Sequence, residues 1–207
     1  MSDLDLKEIR EKVAKIKAEK SEFLEDMISS YKVEAYRRER ERIPVIAFCG
    51  PGRSGKDLAC KWLSEACGTL YTGSISYAVS PLIAESLGVS REEAFADRHS
   101  DRLYWFEWCN ALRSEDPTLL VKLTLIENDV VSGIRGDVEL HACKEAGVID
   151  LAVWVDNPRV DHDPTLEYSA DDCDLVIRNA GGKLEYFNRL KKLSNYLGFK
   201  ENYNVKN

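Results

Sequence analysis

The sequence contains no run of apolar residues long enough to cross a lipid bilayer, and it has no excess of positive charge. The first absence excludes a membrane-spanning helix, and the charged N-terminal stretch does not have the pattern of a signal peptide, so we expect a cytoplasmic protein. The net charge is −7, whereas proteins that bind nucleic acid are usually basic. Duplex DNA is therefore not an expected partner.

The sequence also lacks the cysteine and histidine patterns of metal sites and disulfide frameworks. Its six cysteines are scattered without a C-x-x-C pair, and its three histidines stand far apart. Such spacing is typical of free, mostly buried thiols in a reducing compartment, and it does not fit a structural zinc site. Repeats and low-complexity tracts are absent as well.

The most informative stretch is an apolar strand followed by a glycine-rich turn and a helix, over residues 43–66. Gly50, Gly55 and Lys56 fit the phosphate-binding pattern G-x-x-x-x-G-K, in which glycines let several backbone N–H groups point at one anion. Asp57 stands where a Ser or Thr usually follows the lysine. The predicted nucleotide-binding residues of this loop are Gly50, Pro51, Gly52, Arg53, Ser54, Gly55, Lys56, Asp57 and Leu58.

Apolar strands alternate with amphipathic helices along the rest of the chain. This alternation predicts an α/β fold, a three-layer domain with a five-stranded parallel sheet. The predicted strands cover residues 45–48, 69–75, 129–134, 150–156 and 174–178. We expect a catalytic domain over residues 43–198 and a flexible tail over 199–207. Residues 1–42 are predicted to form one charged helix, which either packs across this domain or acts as an arm for homodimerisation.

Ligands of parallel sheets bind at the carboxyl ends of the strands, where the sequence places several arginines and aromatic residues. Arg98, Arg102 and Trp105 share one helical face by their spacing, and Arg135 directly follows a predicted strand. The predicted substrate-binding residues are Ser76, Tyr77, Arg98, Asp101, Arg102, Trp105, Arg113 and Arg135. The residues predicted to act in catalysis are Lys56, Arg135, Arg53 and Arg159.

Four motifs resemble those of phage-type deoxynucleoside monophosphate kinases, a P-loop nucleotide kinase family. They are the loop Gly-x-x-Arg-Ser-Gly-Lys-Asp, the stretch Asp101-Arg-Leu-Tyr-Trp105 with Arg113, the strand end Ser132-Gly-Ile-Arg135 with Glu139, and Asp174-Leu-Val-Ile-Arg-Asn179-x-Gly-Gly. The resemblance covers about residues 43–197. It implies ATP as phosphate donor, Asn179 near the adenine, and the host cytoplasm as location if the protein is phage-encoded. The lid is unusually poor in arginine, since Arg159 is the only one between residues 156 and 172.

The chemistry expected of such a site is transfer of the γ-phosphate of ATP to a nucleoside monophosphate. The acceptor phosphate is already largely dianionic near neutral pH, so alignment and charge neutralisation suffice and no general base is needed. Lys56 and the arginines supply positive charge, with Arg135, Arg98 and Arg113 expected on the acceptor phosphate. Asp57 is the predicted Mg²⁺ ligand, directly or through water.

Two alternatives remain open at this point. One is a P-loop kinase with a hydroxyl acceptor, either a small metabolite or a hydroxymethylated pyrimidine in a nucleotide or in DNA. A hydroxyl requires a general base, for which Asp97, Asp101 and Asp129 are candidates. The other is a non-catalytic ATP-binding module that uses its N-terminal helix to bind a partner protein.

Overall fold

The computed structural model describes residues 6–19, 21–98, 100, 102–114 and 116–199, and it is an α/β structure. Its sheet contains four parallel strands in the order β2-β1-β3-β4. These strands are β1 (Ile46–Cys49), β2 (Val130–Ser132), β3 (Leu151–Asp156) and β4 (Leu175–Arg178). The helices are α1 (Leu6–Glu19), α2 (Ser21–Glu41), α3 (Lys56–Cys67), α4 (Ile75–Leu87), α5 (Arg91–Asp97), α6 (Arg102–Arg113), α7 (Leu119–Thr124), α8 (Asp137–Glu145) and α9 (Lys183–Tyr196), and a 3₁₀ turn covers Ala170–Asp172.

Apolar side chains on both faces of β1 explain why the sheet is covered by helices on both sides. Ala47 and Cys49 belong to a core shared with α4, α6, α7 and α8, whereas Ile46 and Phe48 belong to a second core with α3 and α9. A strand whose successive side chains are all buried is typical of a parallel sheet between two helix layers. The α/β class and the parallel sheet predicted from the sequence are thus confirmed.

The predicted fifth strand, over residues 69–75, is wrong. The segment does run beside the start of β2, where the Asp129 N–H donates to the Leu70 carbonyl at 2.9 Å. Its own N–H groups, however, are bound by side chains: Leu70 N donates to Asp129 Oδ2 at 2.9 Å and Thr72 N to Asn128 Oδ1 at 2.6 Å. Side-chain oxygens therefore replace a strand ladder, and Ile75 already begins α4.

The region predicted to be one N-terminal helix is helical over α1 and over α2. Lys20, between them, lies outside the described residues. α1 packs against α6, and α2 packs against α7. Phe199, predicted to belong to the tail, packs against the core beside α9, and residues 200–207 lie outside the described part.

Sheet order places two loops at one end of the sheet. The chain passes from β1 to its neighbour β2 and then crosses back to β3 on the other side of β1. The direction of the connections reverses between β1 and β3, and in open α/β sheets ligands bind in the crevice at such a point. The glycine-rich loop (residues 50–55) and the segment after β3 (residues 157–169) both begin there. This crevice is the candidate site.

Candidate functional site

The first and last residues of the glycine-rich loop are glycines because neighbouring backbone and side-chain atoms leave no room for a Cβ. Gly50 and Gly55 have φ angles of 122° and 108°, which side-chain-bearing residues rarely adopt. A Cβ on Gly50 would lie 3.0 Å from the Val155 carbonyl of β3, and one on Gly55 would lie 2.5 Å from Asn179 Nδ2. The loop is thus pressed against β3 and against the turn after β4, and the two glycines that defined the sequence motif are required by geometry.

Lys56, the first residue of α3, is folded back over the loop. Its side chain is 7% exposed, and its Nζ donates to the Pro51 carbonyl at 2.7 Å. Burial, with a further contribution from the nearby Arg135 guanidinium, lowers the pKa of Lys56 to about 8. An ammonium group that has lost most of its water and faces another cation gains most from a bound anion. Lys56 therefore has the environment of an anion-binding lysine.

Asp57 is joined to the end of β2 by a hydroxyl. Asp57 Oδ1 accepts hydrogen bonds from Ser132 Oγ at 2.6 Å and from the Tyr71 hydroxyl at 3.3 Å, and these two hydroxyls are 3.0 Å apart. In P-loop proteins a Ser or Thr on the helix and an Asp on the neighbouring strand usually hold Mg²⁺. Here the carboxylate is on the helix and the hydroxyl is on the strand. Since the same two functional groups meet with their positions exchanged, the oxygen donors fit a hard cation.

Asp163, which sequence analysis did not select, links the glycine-rich loop to two of the predicted arginines. Its Oδ2 accepts from Gly52 N at 3.0 Å and from Arg135 Nη1 at 2.6 Å, and its Oδ1 accepts from Arg102 Nη2 at 2.8 Å. Burial would raise the pKa of Asp163, but the Thr165 hydroxyl, the charge of Arg135 and the N–H groups of Gly52 and Thr165 hold it well below its usual range. The Asp-Pro-Thr sequence predicts a local turn, but no sequence signal predicts contact with a loop 111 residues away.

Arg113 lies behind Arg135 and not on the loop itself. Arg113 Nη1 donates to Glu139 Oε2 at 2.7 Å, and the same oxygen accepts from the Arg135 backbone N–H at 3.3 Å. Glu139 is 1% exposed, and burial raises its pKa although Arg113 opposes the shift. Arg113 also binds Asn110. The pair therefore holds the backbone of Arg135 in place.

Four predicted substrate residues lie around the start of α4 and α6. Arg98 stacks on Phe95, with its Cζ 3.9 Å from the ring centroid, and Phe95 makes edge contacts with Tyr77 and Trp105. Arg98 is the residue after α5 and not part of α6, so the predicted shared helical face of Arg98, Arg102 and Trp105 is wrong. Ser76 lies in the first turn of α4. Asp101 lies outside the described residues.

Asn179 and Arg159 connect the turn after β4 to the crevice. Asn179 Nδ2 donates to the Ser54 carbonyl at 2.8 Å, so Asn179 does touch the glycine-rich loop. Arg159 donates to the Asn179 and Gly181 carbonyls at 3.1 and 3.3 Å, so its guanidinium group binds this turn. Arg53 is exposed at the tip of the loop, with a φ of 63°, and Leu58 is half-buried in α3.

Two of the carboxylates considered as general bases are described by the structure. Asp129 is 1% exposed and binds Arg37 and the Leu70 N–H, so it is engaged in holding the fold. Asp97 is exposed at the end of α5. The third, Asp101, lies outside the described residues. A base for a hydroxyl acceptor is thus not supplied by Asp129 in this conformation.

A separate group of possible metal ligands lies on the start of α8 and the 3₁₀ turn. Within the described part of the chain, Asp137, His141 and Asp172 offer ligand atoms that all lie within 4.8 Å of one another. All three are at least partly exposed, and the Asp137 backbone and side chain together raise the pKa of His141. The histidine spacing in the sequence did not predict this grouping, because Asp172 comes from a distant turn.

No protein-family model and no curated protein matches the chain. In the described ranges, no helix combines the length and the apolar character that crossing a membrane requires.

Proposed function

We propose that this protein is an ATP-dependent phosphotransferase of the P-loop kinase type, which transfers the γ-phosphate of ATP to a (deoxy)nucleoside monophosphate. The observation that carries the proposal is the convergence of Lys56, Arg135 and the Gly52 N–H at one end of the sheet. All three are donors suited to phosphate oxygens. Gly52 lies in the glycine-rich loop and Lys56 directly follows it, and the first and last glycines of that loop have no room for a Cβ. The motif resemblance to phage-type deoxynucleoside monophosphate kinases supports the acceptor class.

The residues of the crevice have distinct roles in this proposal. The loop from Gly50 to Gly55 binds the phosphates of ATP through backbone N–H groups, and Lys56 exchanges the Pro51 carbonyl for the β- and γ-phosphate oxygens. Arg135 and Arg102 orient the acceptor phosphate. Because that phosphate is already dianionic, its oxygen attacks without loss of a proton, and the positive side chains stabilise the charge on the transferred group. Asn179 borders the loop where the adenine is expected.

The proposed metal site is the pair Asp57 and Ser132. Asp57 is exposed, and its carboxylate already binds the hydroxyls of Ser132 and Tyr71. Such an all-oxygen set fits Mg²⁺, which prefers one or two carboxylates and retains several waters. When bound, Mg²⁺ would neutralise charge on the β- and γ-phosphate oxygens.

One assay tests the activity and the acceptor class together. The protein is incubated with ATP, Mg²⁺ and, separately, nucleoside monophosphates, deoxynucleoside monophosphates, nucleosides, small hydroxyl metabolites and hydroxymethylated DNA, and products are separated chromatographically. We expect diphosphates from one or more monophosphates. Transfer only to a hydroxyl would favour the alternative acceptor class, and binding of ATP without any transfer would favour a non-catalytic module.

Lys56→Ala tests the role of the loop in the same assay. We expect a loss of at least about 100-fold in turnover, because one preorganised charge at a transferring phosphoryl group contributes that much. Lys61→Ala is the matched control, since Lys61 is an exposed lysine of the same helix, and should turn over like the unmodified protein. Unchanged turnover in Lys56→Ala would refute the proposed loop chemistry.

A further inference from the structure

The carboxylate of Asp163 is surrounded by hydrogen-bond donors on both oxygens. Oδ2 accepts from Gly52 N and Arg135 Nη1, and Oδ1 accepts from Arg102 Nη2 and from the backbone N–H and hydroxyl of Thr165. Its side chain is 6% exposed, while those of Arg102 and Arg135 are 55% and 25% exposed. The two guanidinium groups therefore reach from the surface to one internal anion.

Three of these donors are the kind that hold a phosphate. A backbone N–H of a glycine-rich loop and two arginine forks make the charge-assisted hydrogen bonds that recur in phosphate sites. Gly52, Arg102 and Arg135 were each predicted from the sequence to bind nucleotide, but nothing in the sequence placed them around one point. Asp163 occupies that point.

We propose that the Gly52 N–H, Arg102 and Arg135 form a binding site for a phosphate-class oxyanion, which the Asp163 carboxylate fills in the ligand-free protein and leaves when the ligand binds. The identification of that ligand as a nucleotide phosphate rests on the proposed function. The site itself rests only on the contacts of Asp163.

The placement of Asp163 allows this exchange. It belongs to residues 157–169, a stretch of thirteen described residues with neither helix nor strand, and its neighbours Asp161, His162 and Pro164 are exposed. Leu166 and Tyr168 at the end of this stretch pack in the core, so the exchange requires a shift confined to residues 161–165. A phosphate dianion also carries more charge than a carboxylate and has oxygens enough for both guanidinium groups and the loop N–H at once. The incoming phosphate therefore interacts more strongly with these donors than the Asp163 carboxylate that it replaces.

An internal occupant weakens the apparent affinity for the external ligand in proportion to the fraction of molecules whose site is free. Removing the carboxylate should therefore tighten anion binding. If Asp163 instead positioned the two arginines for the ligand, its removal would loosen them and weaken binding. The two models therefore predict opposite changes in anion affinity when the Asp163 carboxylate is removed.

The test is calorimetric titration of the full chain with inorganic pyrophosphate and with inorganic phosphate, at low salt and without ATP. We expect Asp163→Ala to bind at least about tenfold more tightly than the unmodified protein. Asp161→Ala removes the same charge from the same stretch at an exposed position, and should change affinity less than about twofold. Arg102→Ala and Arg135→Ala should each weaken binding.

Thr165→Val is the second variant, in case Asp163→Ala does not fold. It removes the hydroxyl that donates to Oδ1 at 2.8 Å and accepts from Arg102 Nη2 at 2.9 Å, and it keeps the charge of Asp163. Pyrophosphate binding should tighten by about two- to threefold, because both the carboxylate and Arg102 are then held less firmly in the ligand-free protein. Unchanged or weaker binding in Asp163→Ala, with cooperative unfolding retained, would overturn the inference, and so would unchanged binding in Thr165→Val. These readouts need no phosphoryl transfer, so an inactive protein with the expected affinities would refute the proposed activity alone.

Discussion

At the scale of single residues, Lys56 shows how burial prepares a side chain for an anion. The ammonium group is buried beside the loop, lies near Arg135 and donates a hydrogen bond to the Pro51 carbonyl at 2.7 Å. Both burial and the neighbouring cation favour its neutral form. A bound phosphate would reverse this preference, so proton uptake is coupled to binding.

This coupling predicts a pH-dependent affinity. The pKa of Lys56 in the ligand-free protein is lowered to about 8. The ratio of the pyrophosphate Kd to that of Lys56→Arg, in which the protonation of pyrophosphate itself cancels, should therefore be constant below that pH and rise above it by about tenfold per pH unit. The measurement is the Kd by calorimetry between about pH 6 and pH 9.5. Lys56→Arg is the control, because arginine stays charged throughout and its Kd should not rise in the same way. A ratio that stays flat over this range would contradict the prediction.

At the scale of elements, one carboxylate fixes three segments that are far apart in sequence. Asp129 directly precedes β2, binds Arg37 of α2, and accepts the Leu70 N–H of the extended segment before α4. Arg38, 3% exposed, donates to the carbonyls of Leu125 and Asn128 next to it. Because these groups are shielded from water, each charge depends on its partner.

Asp129→Ala should therefore lower the free energy of unfolding by about 3–5 kcal/mol, since it leaves Arg37 and Arg38 without their buried counter-charge. Glu34→Ala is the matched control: Glu34 also binds Arg37, at 2.8 Å, but near the surface, and should cost less than about 1 kcal/mol. Urea denaturation of the two variants gives both values. Equal losses would show that the buried position of Asp129 makes no difference.

At the scale of the whole molecule, the two N-terminal helices are part of the packed structure. α1 contacts α6 and α2 contacts α7, while Tyr31 of α2 packs against the larger core. The contacts made by α2 are therefore both ionic and apolar. This arrangement favours packing within the chain over a dimerising arm.

Removal of residues 1–41 should lower the Tm by roughly 10 °C, because Asp129 loses Arg37 and Arg38 and the core loses Tyr31. Removal of residues 1–20 keeps α2 and should cost less. Calorimetry measures the Tm, and light scattering measures the mass in solution, which should change only by the residues removed. If either truncation halves the number of chains per particle, the N-terminal helices dimerise.

Local chemistry made part of this architecture predictable from the sequence. The glycine-rich loop and the helix after it depend on residues a few positions apart, and the structure has both features. The α/β class was predictable for the same reason, because the spacing of apolar residues within each short segment indicates whether it forms a strand or a helix. Gly50 and Gly55 could be selected because few residues adopt their backbone angles.

Long-range contacts decided the rest. Whether residues 69–74 pair as a strand depends on Asn128 and Asp129, whose side chains take the N–H groups that a ladder would use. Which arginines meet depends on Asp163, which gathers Arg102 and Arg135 at Gly52. The sequence by itself determined where the glycine-rich loop stands in the chain. Only the tertiary structure decided which charged side chains surround this loop. The Asp163 carboxylate binds the arginines that lie near it in space, and their spacing along the chain does not predict this contact.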